Sequence, residues 1–273
     1  MTKNRDNSEI KQSNYTEDYF FTCVDGFAEF KNNYGSSYIK KKEISLLDVQ
    51  PGLKFLDIGH GRGEILYHCE KLGAFAYGVD YSDAANSIAK NTLKQSPNAW
   101  IIKSNCEPLP FKDGTFDRIL VGDLIEHLSF EKGVRLLKEI SRVLAPGGYF
   151  LLHTSPNSLF MKFIYPILIL FMDKKRRKGV IQHVNIQNKV HIHEYNYFNL
   201  KRLAKTANFK AHIWIDADIT RKGTFRHINN LTEAEKIIIR LVTSVTKYRF
   251  MPILIFLGND LWMKSQKVSQ CNR

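Results

Sequence analysis

The stretch Leu56-Asp57-Ile58-Gly59-His60-Gly61-Arg62-Gly63 decides the fold. It ends a short apolar segment, 53–59, that predicts a buried strand, and it precedes a helix predicted over 64–72. Glycines between a strand and a helix allow a tight turn and let a ligand approach the backbone. The N-terminus of the helix adds oriented N–H groups. The stretch therefore predicts a ligand-binding loop in an α/β domain.

The segments that follow alternate between strands and helices. Strands are predicted at 75–80, 100–103, 117–121 and 149–154, with helices at 84–93 and 130–144 between them. Strands separated by helices indicate βαβ crossovers and a buried parallel sheet, which predicts a doubly wound, Rossmann-like fold. Outside this core the sequence predicts a flexible tail at 1–14, helices at 15–30, 40–49, 198–207 and 233–245, and strands at 209–215 and within 253–267.

An acidic residue on each side of the loop narrows the range of ligands that the loop could bind. Asp80 lies seventeen residues after Gly63, at the end of the second predicted strand, where a carboxylate can accept both hydroxyls of a ribose. The spacing Gly59-x-Gly61-x-Gly63 differs from the G-x-G-x-x-G of dinucleotide sites. Asp57 precedes the glycines, where a carboxylate suits an ammonium group better than a pyrophosphate. The loop therefore predicts a cofactor with a ribose and a cation.

With these motifs the sequence resembles the class I S-adenosylmethionine-dependent methyltransferases of the small-molecule type. The resemblance runs from about 53 to 156 and includes the glycine loop, Gly78-Val79-Asp80-Tyr81-Ser82, the segment 105–117 and Val143-Leu144-Ala145-Pro146-Gly147-Gly148. It implies a seven-stranded sheet of order 3-2-1-4-5-7-6 with an antiparallel last strand, plus helical insertions. It also implies S-adenosylmethionine as methyl donor, released as S-adenosylhomocysteine, and cofactor contacts from Asp57, Gly59, Gly61, Gly63, Asp80, Tyr81, Asn105, Cys106 and Asp123.

Two positions depart from the family pattern. Asn105 stands where the family often has aspartate, and its amide oxygen can still accept a hydrogen bond from adenine. His60 stands where a small residue is common, and its imidazole is expected to point away from the turn, towards the surface.

Histidines supply the candidate catalytic residues. His127 ends the stretch Gly122-Asp123-Leu124-Ile125-Glu126-His127 after the fourth strand and is a candidate base, with a structural role equally open. His191 and His193 alternate in a predicted extended segment, which places them on one side, and His193 is the second candidate. The segment 153–157 is expected to line the substrate mouth. No metal site is predicted.

Composition constrains the partners. The 273 residues carry a formal net charge of +13, which suits a polyanionic partner but also an ordinary lysine-rich surface. Four cysteines without a C-x-x-C pair and a polar N-terminus predict a reducing, cytoplasmic setting. Residues 122–125 do not form the Asn/Asp-Pro-Pro-aromatic motif of base-modifying enzymes, so nucleic acid is an unfavoured partner.

The second half contains an apolar segment, 159–172, followed by the basic run Lys174-Lys175-Arg176-Arg177-Lys178. The segment is too short to span a bilayer. Three roles stay open: contact with an anionic membrane surface at the inner face, a substrate lid, and a homodimer interface. The predicted organisation is an N-terminal tail and cap helices at 1–50 and a methyltransferase domain at 51–273, with acceptor-site insertions at about 156–192 and 217–250.

The predicted function is O-methylation of a small or lipid-linked acceptor such as a sugar, a phenol or quinone, or a glycolipid intermediate. Two alternatives remain at this point. One is a methyltransferase acting on RNA or another nucleic acid, and the other is a non-catalytic protein that binds S-adenosylmethionine.

Overall fold

A seven-stranded sheet forms the centre of the computed structural model, which describes residues 12–216, 237 and 251–267. Its order is β3-β2-β1-β4-β5-β7-β6. Neighbouring strands pair in parallel from β3 to β5, whereas β7 is antiparallel to both β5 and β6. The predicted order and the antiparallel last strand are confirmed. The strands are β1 Lys54–Ile58, β2 Phe75–Asp80, β3 Ala99–Lys103, β4 Phe116–Gly122, β5 Leu144–Thr154, β6 His212–Asp216 and β7 Asp260–Gln266.

Helices cover both faces of this sheet. They are α1 Glu17–Thr22, α2 Phe27–Lys31, α3 Tyr38–Leu47, α4 Glu64–Lys71, α5 Asp83–Thr92, α6 Phe130–Val143, α7 Tyr165–Leu170, α8 Lys174–Val190, α9 Tyr197–Thr206 and α10 Met251–Leu257. A 3-10 turn, Ile125–His127, follows β4, and a π-helical turn, Phe160–Ile164, precedes α7.

Strand β1 divides the core into two layers because its side chains alternate between the faces of the sheet. Phe55 packs in the layer formed with α3 and α4, which also contains Trp262. Leu56 packs in the layer formed with α6 and α9. Each fully buried apolar side chain of this size contributes about 1.5–3 kcal/mol to folding. The two layers fix the loop after β1 at the carboxyl edge of the sheet.

The aromatic N-terminal segment forms two short helices where the sequence predicted one over 15–30. Gly26 starts α2 with a φ of +84°, a left-handed conformation that interrupts a continuous helix. Phe20 and Phe30, one from each helix, pack with Ala85 and Ile88 of α5. The segment therefore lies against the helix that follows Asp80.

The C-terminal part contains a helix before the last strand. The strand predicted within 253–267 is β7, which begins at Asp260, whereas the apolar run 253–257 belongs to α10, a helix that the sequence did not predict. A short continuous apolar run does not distinguish a buried helix from a strand. The predicted helix at 233–245, the insertion at 217–250 and Cys271 lie outside the described residues, apart from residue 237.

The insertion at 156–192 contains α7 and the seventeen-residue α8, which the sequence had not predicted as a helix. The apolar run 253–257 packs beside this insertion, because the rings of Phe163 and Phe256 lie 5.8 Å apart. Among residues 12–216, 237 and 251–267, no helix has the length and apolarity needed to cross a bilayer.

Two glycines give a matched test of backbone strain. Gly63 has a φ of +77°, and a Cβ there would lie 3.0 Å from the Cβ of Ala89. Gly179, within α8, would meet no atom within 4 Å. We expect Gly63→Ala to lower the free energy of unfolding by about 1–3 kcal/mol. Gly179→Ala should leave it unchanged or raise it by up to about 1 kcal/mol. Urea denaturation measures both, and equal effects would contradict the strain at Gly63.

Candidate active site

A single large cavity of about 1610 Å³ opens at the carboxyl edge of the sheet. Ligand pockets are usually about 300–1,000 Å³, so this cavity has room for a cofactor together with an acceptor. Eight of the nine predicted cofactor residues line it: Asp57, Gly59, Gly61, Asp80, Tyr81, Asn105, Cys106 and Asp123. The cavity thus brings together residues from four different strand ends.

Asp80 is held at the glycine loop by two backbone donors. The Gly61 N–H donates to its Oδ2 at 3.1 Å, and the Ser82 N–H donates to its Oδ1 at 2.9 Å. Gly61 has a φ of +52°, a conformation that favours glycine and turns this N–H towards the carboxylate. Each carboxylate oxygen keeps further acceptor capacity for a pair of hydroxyl groups.

Asp57 places a second carboxyl in the same part of the cavity. Burial raises its pKa to about 8, and the ammonium group of Lys40 opposes that shift. A cation bound in the cavity would stabilise the carboxylate and return its pKa towards the ordinary value. Asp57 and Asp80 therefore place two carboxyl groups in the cavity that could receive an ammonium group and a ribose, as predicted from the sequence.

Two residues of the loop differ from their predicted roles. Gly63 does not line the cavity and instead lets α4 pack closely against Ala89 of α5. His60 is only 4% exposed and lines the cavity, whereas the sequence predicted a surface imidazole. Its ring fits beside Gly78, where a Cβ would lie 2.8 Å from the His60 ring. The imidazole turns inward because glycine leaves it that space.

Arg62 is the main residue that the sequence analysis missed. Its guanidinium is buried and pairs with both carboxylate oxygens of Glu64, at 2.7 and 2.9 Å. The same group donates to the carbonyl oxygens of Phe20, Val24 and Asp25. Arg62 thus ties the glycine loop to α1 and to the residues after it. The only sequence signal was a charged pair, Arg62 and Glu64, inside an apolar strand–loop–helix unit.

His153, in β5, forms a buried charged cluster beside the cavity. Its Nε2 lies 3.0 Å from Asp260 Oδ1, and its Nδ1 lies 3.1 Å from Asp123 Oδ1 and 3.8 Å from Glu43 Oε1. Burial opposes a charge on this imidazole, but Asp123 and Asp260 outweigh it and raise the pKa to about 10. The cation links β5 and β7 to the cavity wall, and His153 itself lines the cavity as predicted for the segment 153–157.

This cluster predicts a pH dependence of stability. The folded pKa of His153 lies above the ordinary value of 6.5, so its contribution is complete below about pH 6.5 and is lost as the pH rises towards 10. We expect the free energy of unfolding to fall less steeply over this interval in His153→Gln than in the wild type. Chemical denaturation at a series of pH values measures this. Parallel curves for the two proteins would show that the cation does not form.

The two candidate catalytic histidines lie in different surroundings. His127 lines the cavity, and its Nδ1 lies 2.9 Å from the Val190 carbonyl oxygen and 3.1 Å from the Tyr15 hydroxyl. Burial lowers its pKa, so the imidazole is neutral near pH 7. His193 packs against Phe130 and Tyr195 and is not part of the cavity wall. The residue predicted to be catalytic, His193, therefore lies outside the cavity.

His191 reaches the cavity in place of His193. It follows the last turn of α8, where its N–H donates to the Gln187 carbonyl oxygen, and its ring contacts that of His127 at a centroid distance of 5.0 Å. The chain turns directly after α8, because the Ile192 and His193 N–H groups both donate to the Glu126 carbonyl oxygen. The predicted placement of His191 and His193 on one side is wrong for this reason.

The insertion contributes a largely apolar part of the cavity wall. Its apolar lining residues are Phe160, Met161, Leu168, Met172, Val180 and Val184, and the polar Tyr165, Asp173, Lys175 and Gln187 line the cavity from the same segment. Phe160, Leu168, Met172 and Val180 also form a small core of their own. The cavity thus extends from charged groups at the glycine loop to a largely apolar wall in the insertion.

Comparison with known proteins places this site in a family. A family model described as a methyltransferase domain matches residues 56–152. An uncharacterized methyltransferase of Synechocystis is 32% identical over 141 residues, which are 50% of this chain and 63% of that protein. A demethylmenaquinone methyltransferase of Bacillus cereus is 29% identical over 143 residues, 47% of this chain and 60% of that protein. The chain thus spans about three-fifths of the length of these two relatives.

A longer match extends beyond the family domain. An uncharacterized protein of Methanocaldococcus jannaschii is 30% identical over 200 residues, 70% of this chain and 74% of that protein. A methyltransferase solved in complex with the Haloferax volcanii Trm112 methyltransferase activator has the same fold, with a TM-score of 0.61 and 15% identity over 92% of this chain and 97% of that one. The glycine loop, the sheet order and the match to the methyltransferase-domain model show that the chain belongs to the class I S-adenosylmethionine-dependent methyltransferases.

Proposed function

We propose that the chain transfers the methyl group of S-adenosylmethionine to an oxygen of a small or lipid-linked acceptor with a large apolar part. One observation carries this proposal: a single cavity joins the residues suited to the cofactor, Asp57 and Asp80, to the apolar wall from the insertion. An acceptor that fills the apolar end can place a polar head beside the sulfonium. Among the predicted acceptors, a phenol, or a quinone in its hydroquinone form, with an apolar chain suits this shape best.

Asp57, Asp80 and the glycine loop would bind and orient the cofactor. Phe160, Leu168 and Val184 would exclude water around the acceptor, since their side chains are apolar and line one wall. His127 is neutral, lines the cavity and can take a proton from an acceptor hydroxyl. Transfer forms a C–O bond, breaks the C–S bond with its electron pair passing to sulfur, and releases S-adenosylhomocysteine and one proton.

The experiment uses paired acceptors and paired variants. S-adenosylhomocysteine release is measured with a phenol that carries an isoprenoid chain and with the same phenol without the chain. Val184 lines the cavity, whereas Ile181, on the same helix, is exposed and lies outside it. We expect the chain to raise kcat/KM at least tenfold. We also expect Val184→Trp to remove most of that gain, and Ile181→Trp to keep it, with cofactor affinity unchanged in both. Equal turnover of both phenols, or transfer to RNA alone, would contradict the proposal.

A membrane surface is part of this proposal because an exposed apolar face borders the cavity. This apolar face consists of Phe163, Ile167, Leu170, Phe171 and Phe256, of which Leu170 is 68% exposed. Exposed lysines 174, 175 and 178 follow it directly at the start of α8. Basic residues near an anionic membrane contribute about 1 kcal/mol each to binding. We propose that this face rests on an anionic bilayer, from which a lipid-linked acceptor enters the cavity.

Vesicle flotation tests the membrane contact. Wild type should float with phosphatidylglycerol-containing vesicles but not with phosphatidylcholine alone, and Ile167→Ser combined with Leu170→Ser should remain at the bottom. Phe198→Ser is the control, because Phe198 is 60% exposed on α9, outside the apolar face. Wild-type protein that stays at the bottom would exclude the membrane contact. A change from dimer to monomer in the double variant without flotation would assign the face to a homodimer.

A further inference from the structure

Three side chains that could bind a metal ion converge on the cavity wall. Glu126 and His127 come from the 3-10 turn after β4, and His191 follows α8. Ligand atoms of the three, one from each, all lie within 4.8 Å of one another. All three residues line the cavity. Two imidazoles and one carboxylate are a ligand set that suits divalent first-row transition metals.

The surrounding contacts orient two of these side chains as metal sites require. The Nδ1 of His127 lies 2.9 Å from the Val190 carbonyl oxygen, a contact that fixes the neutral tautomer and leaves Nε2 for an ion. The Thr154 hydroxyl donates to Glu126 Oε2 at 2.8 Å, which leaves Oε1 as the ligand atom. Backbone carbonyls and hydroxyls in these positions commonly support metal ligands.

The charge balance around Glu126 also favours a cation. Its carboxyl is buried, and the carboxyl of Asp123 lies near enough to interact with it. A bound cation would offset the repulsion between these two acidic groups. An ion at about 2.0–2.2 Å from each ligand would draw the three atoms closer together by side-chain rotation.

We propose that Glu126, His127 and His191 bind a divalent first-row transition-metal ion at the wall of the acceptor cavity. Three protein ligands leave coordination positions for an oxygen of the acceptor, so the role of the ion rests on the proposed function. A bound ion would supply Lewis-acid activation, so that an acceptor hydroxyl beside it would lose its proton to water more readily and become a better nucleophile for the methyl carbon. His127 would then hold the ion and would not itself take the proton of the hydroxyl. The ligand class is an acceptor with a hydroxyl or phenolic oxygen.

This metal site was not predicted from the sequence, in which His191 alternates with His193. Residues 126 and 127 lie 64 or more positions before His191, so no short spacing marks the group. The structure instead separates the two histidines of the pair, since His193 packs against Phe130 outside the cavity wall. His193 therefore serves as a matched control for His191.

Zinc binding to metal-stripped protein tests the proposal directly. Zn²⁺ is titrated in competition with a chromophoric chelator, and Co²⁺ substitution gives an independent visible spectrum. We expect one Zn²⁺ per chain in the wild type and in His193→Ala. His191→Ala and Glu126→Gln should each bind Zn²⁺ at least tenfold more weakly. Equal affinity in the wild type and His191→Ala, or an equal loss in His193→Ala, would overturn the site.

Two further measurements separate this proposal from the proposed function. Circular dichroism and calorimetry with S-adenosylhomocysteine show whether each variant is folded and binds the cofactor. A folded His191→Ala protein that binds the cofactor and Zn²⁺ like the wild type overturns the metal site alone. Stoichiometric Zn²⁺ binding that depends on His191, without methyl transfer to any phenol tested, supports the metal site and contradicts the proposed acceptor class.

Discussion

Replacing Arg62 with methionine is expected to lower the free energy of unfolding by about 3–5 kcal/mol. The guanidinium and Glu64 are each only 2% exposed, so the substitution leaves a buried carboxylate without its bidentate partner. It also removes the donors to the carbonyl oxygens of Phe20, Val24 and Asp25. Urea denaturation measures the change, and limited proteolysis should show earlier cleavage near α1.

Two further variants make this prediction specific. Arg135 pairs with Glu107 on the surface, and Arg135→Met should cost only about 0–1 kcal/mol. Combining Arg62→Met with Glu64→Gln removes both charges and should recover part of the lost stability, because no buried carboxylate then remains with Lys40, at 3.5 Å, as its one ion-pair partner among the described residues. A loss in Arg62→Met no larger than that in Arg135→Met would show that Arg62 does not hold the N-terminal helices in place.

Replacing Asp80 with alanine is expected to weaken S-adenosylmethionine binding by about 1.5–3 kcal/mol. This corresponds to roughly a tenfold to hundredfold increase in Kd. The carboxylate is oriented by the Gly61 and Ser82 N–H groups, and its remaining acceptor capacity suits the two ribose hydroxyls. Isothermal titration calorimetry with S-adenosylhomocysteine measures the effect.

Asp83→Ala provides the control for this variant. Asp83 lies three residues further along, at the start of α5, and its side chain is 74% exposed, outside the cavity wall. Its replacement should leave cofactor affinity unchanged. Circular dichroism must show that Asp80→Ala is folded. Unchanged affinity in folded Asp80→Ala would contradict the assignment of this carboxylate to the ribose.

Much of the fold followed from local patterns in the sequence. Phe55 and Leu56 belong to a short, largely apolar segment next to a glycine loop, and this combination specifies a buried parallel strand followed by a helix. No strand–glycine loop–helix motif adjoins the run 253–257. Its helical state therefore depends on packing that sequence periodicity does not show. Helix α8 was not predicted either, because it begins with a basic run and its apolar residues show little helical periodicity.

The site residues that could be predicted from the sequence are those that a local motif places at the end of a strand. Asp57, Asp80 and Asp123 lie at or next to the carboxyl ends of strands, and these strand ends meet at one edge of a parallel sheet. The contacts of Arg62 with Phe20 and of His191 with His127 join residues about 40 and 64 positions apart, which no local pattern records. His60 turned inward because of Gly78, a residue on the neighbouring strand.

A crystal structure of the chain with S-adenosylhomocysteine tests the central claim most directly. The claim is that one cavity holds the cofactor at the glycine loop and leaves its apolar end for the acceptor. We predict that the ribose hydroxyls lie within hydrogen-bond distance of Asp80, the ammonium group faces Asp57, and the sulfur points towards Glu126 and His127. A ligand bound elsewhere, or one that fills the apolar end beside Leu168 and Val184, would contradict this account.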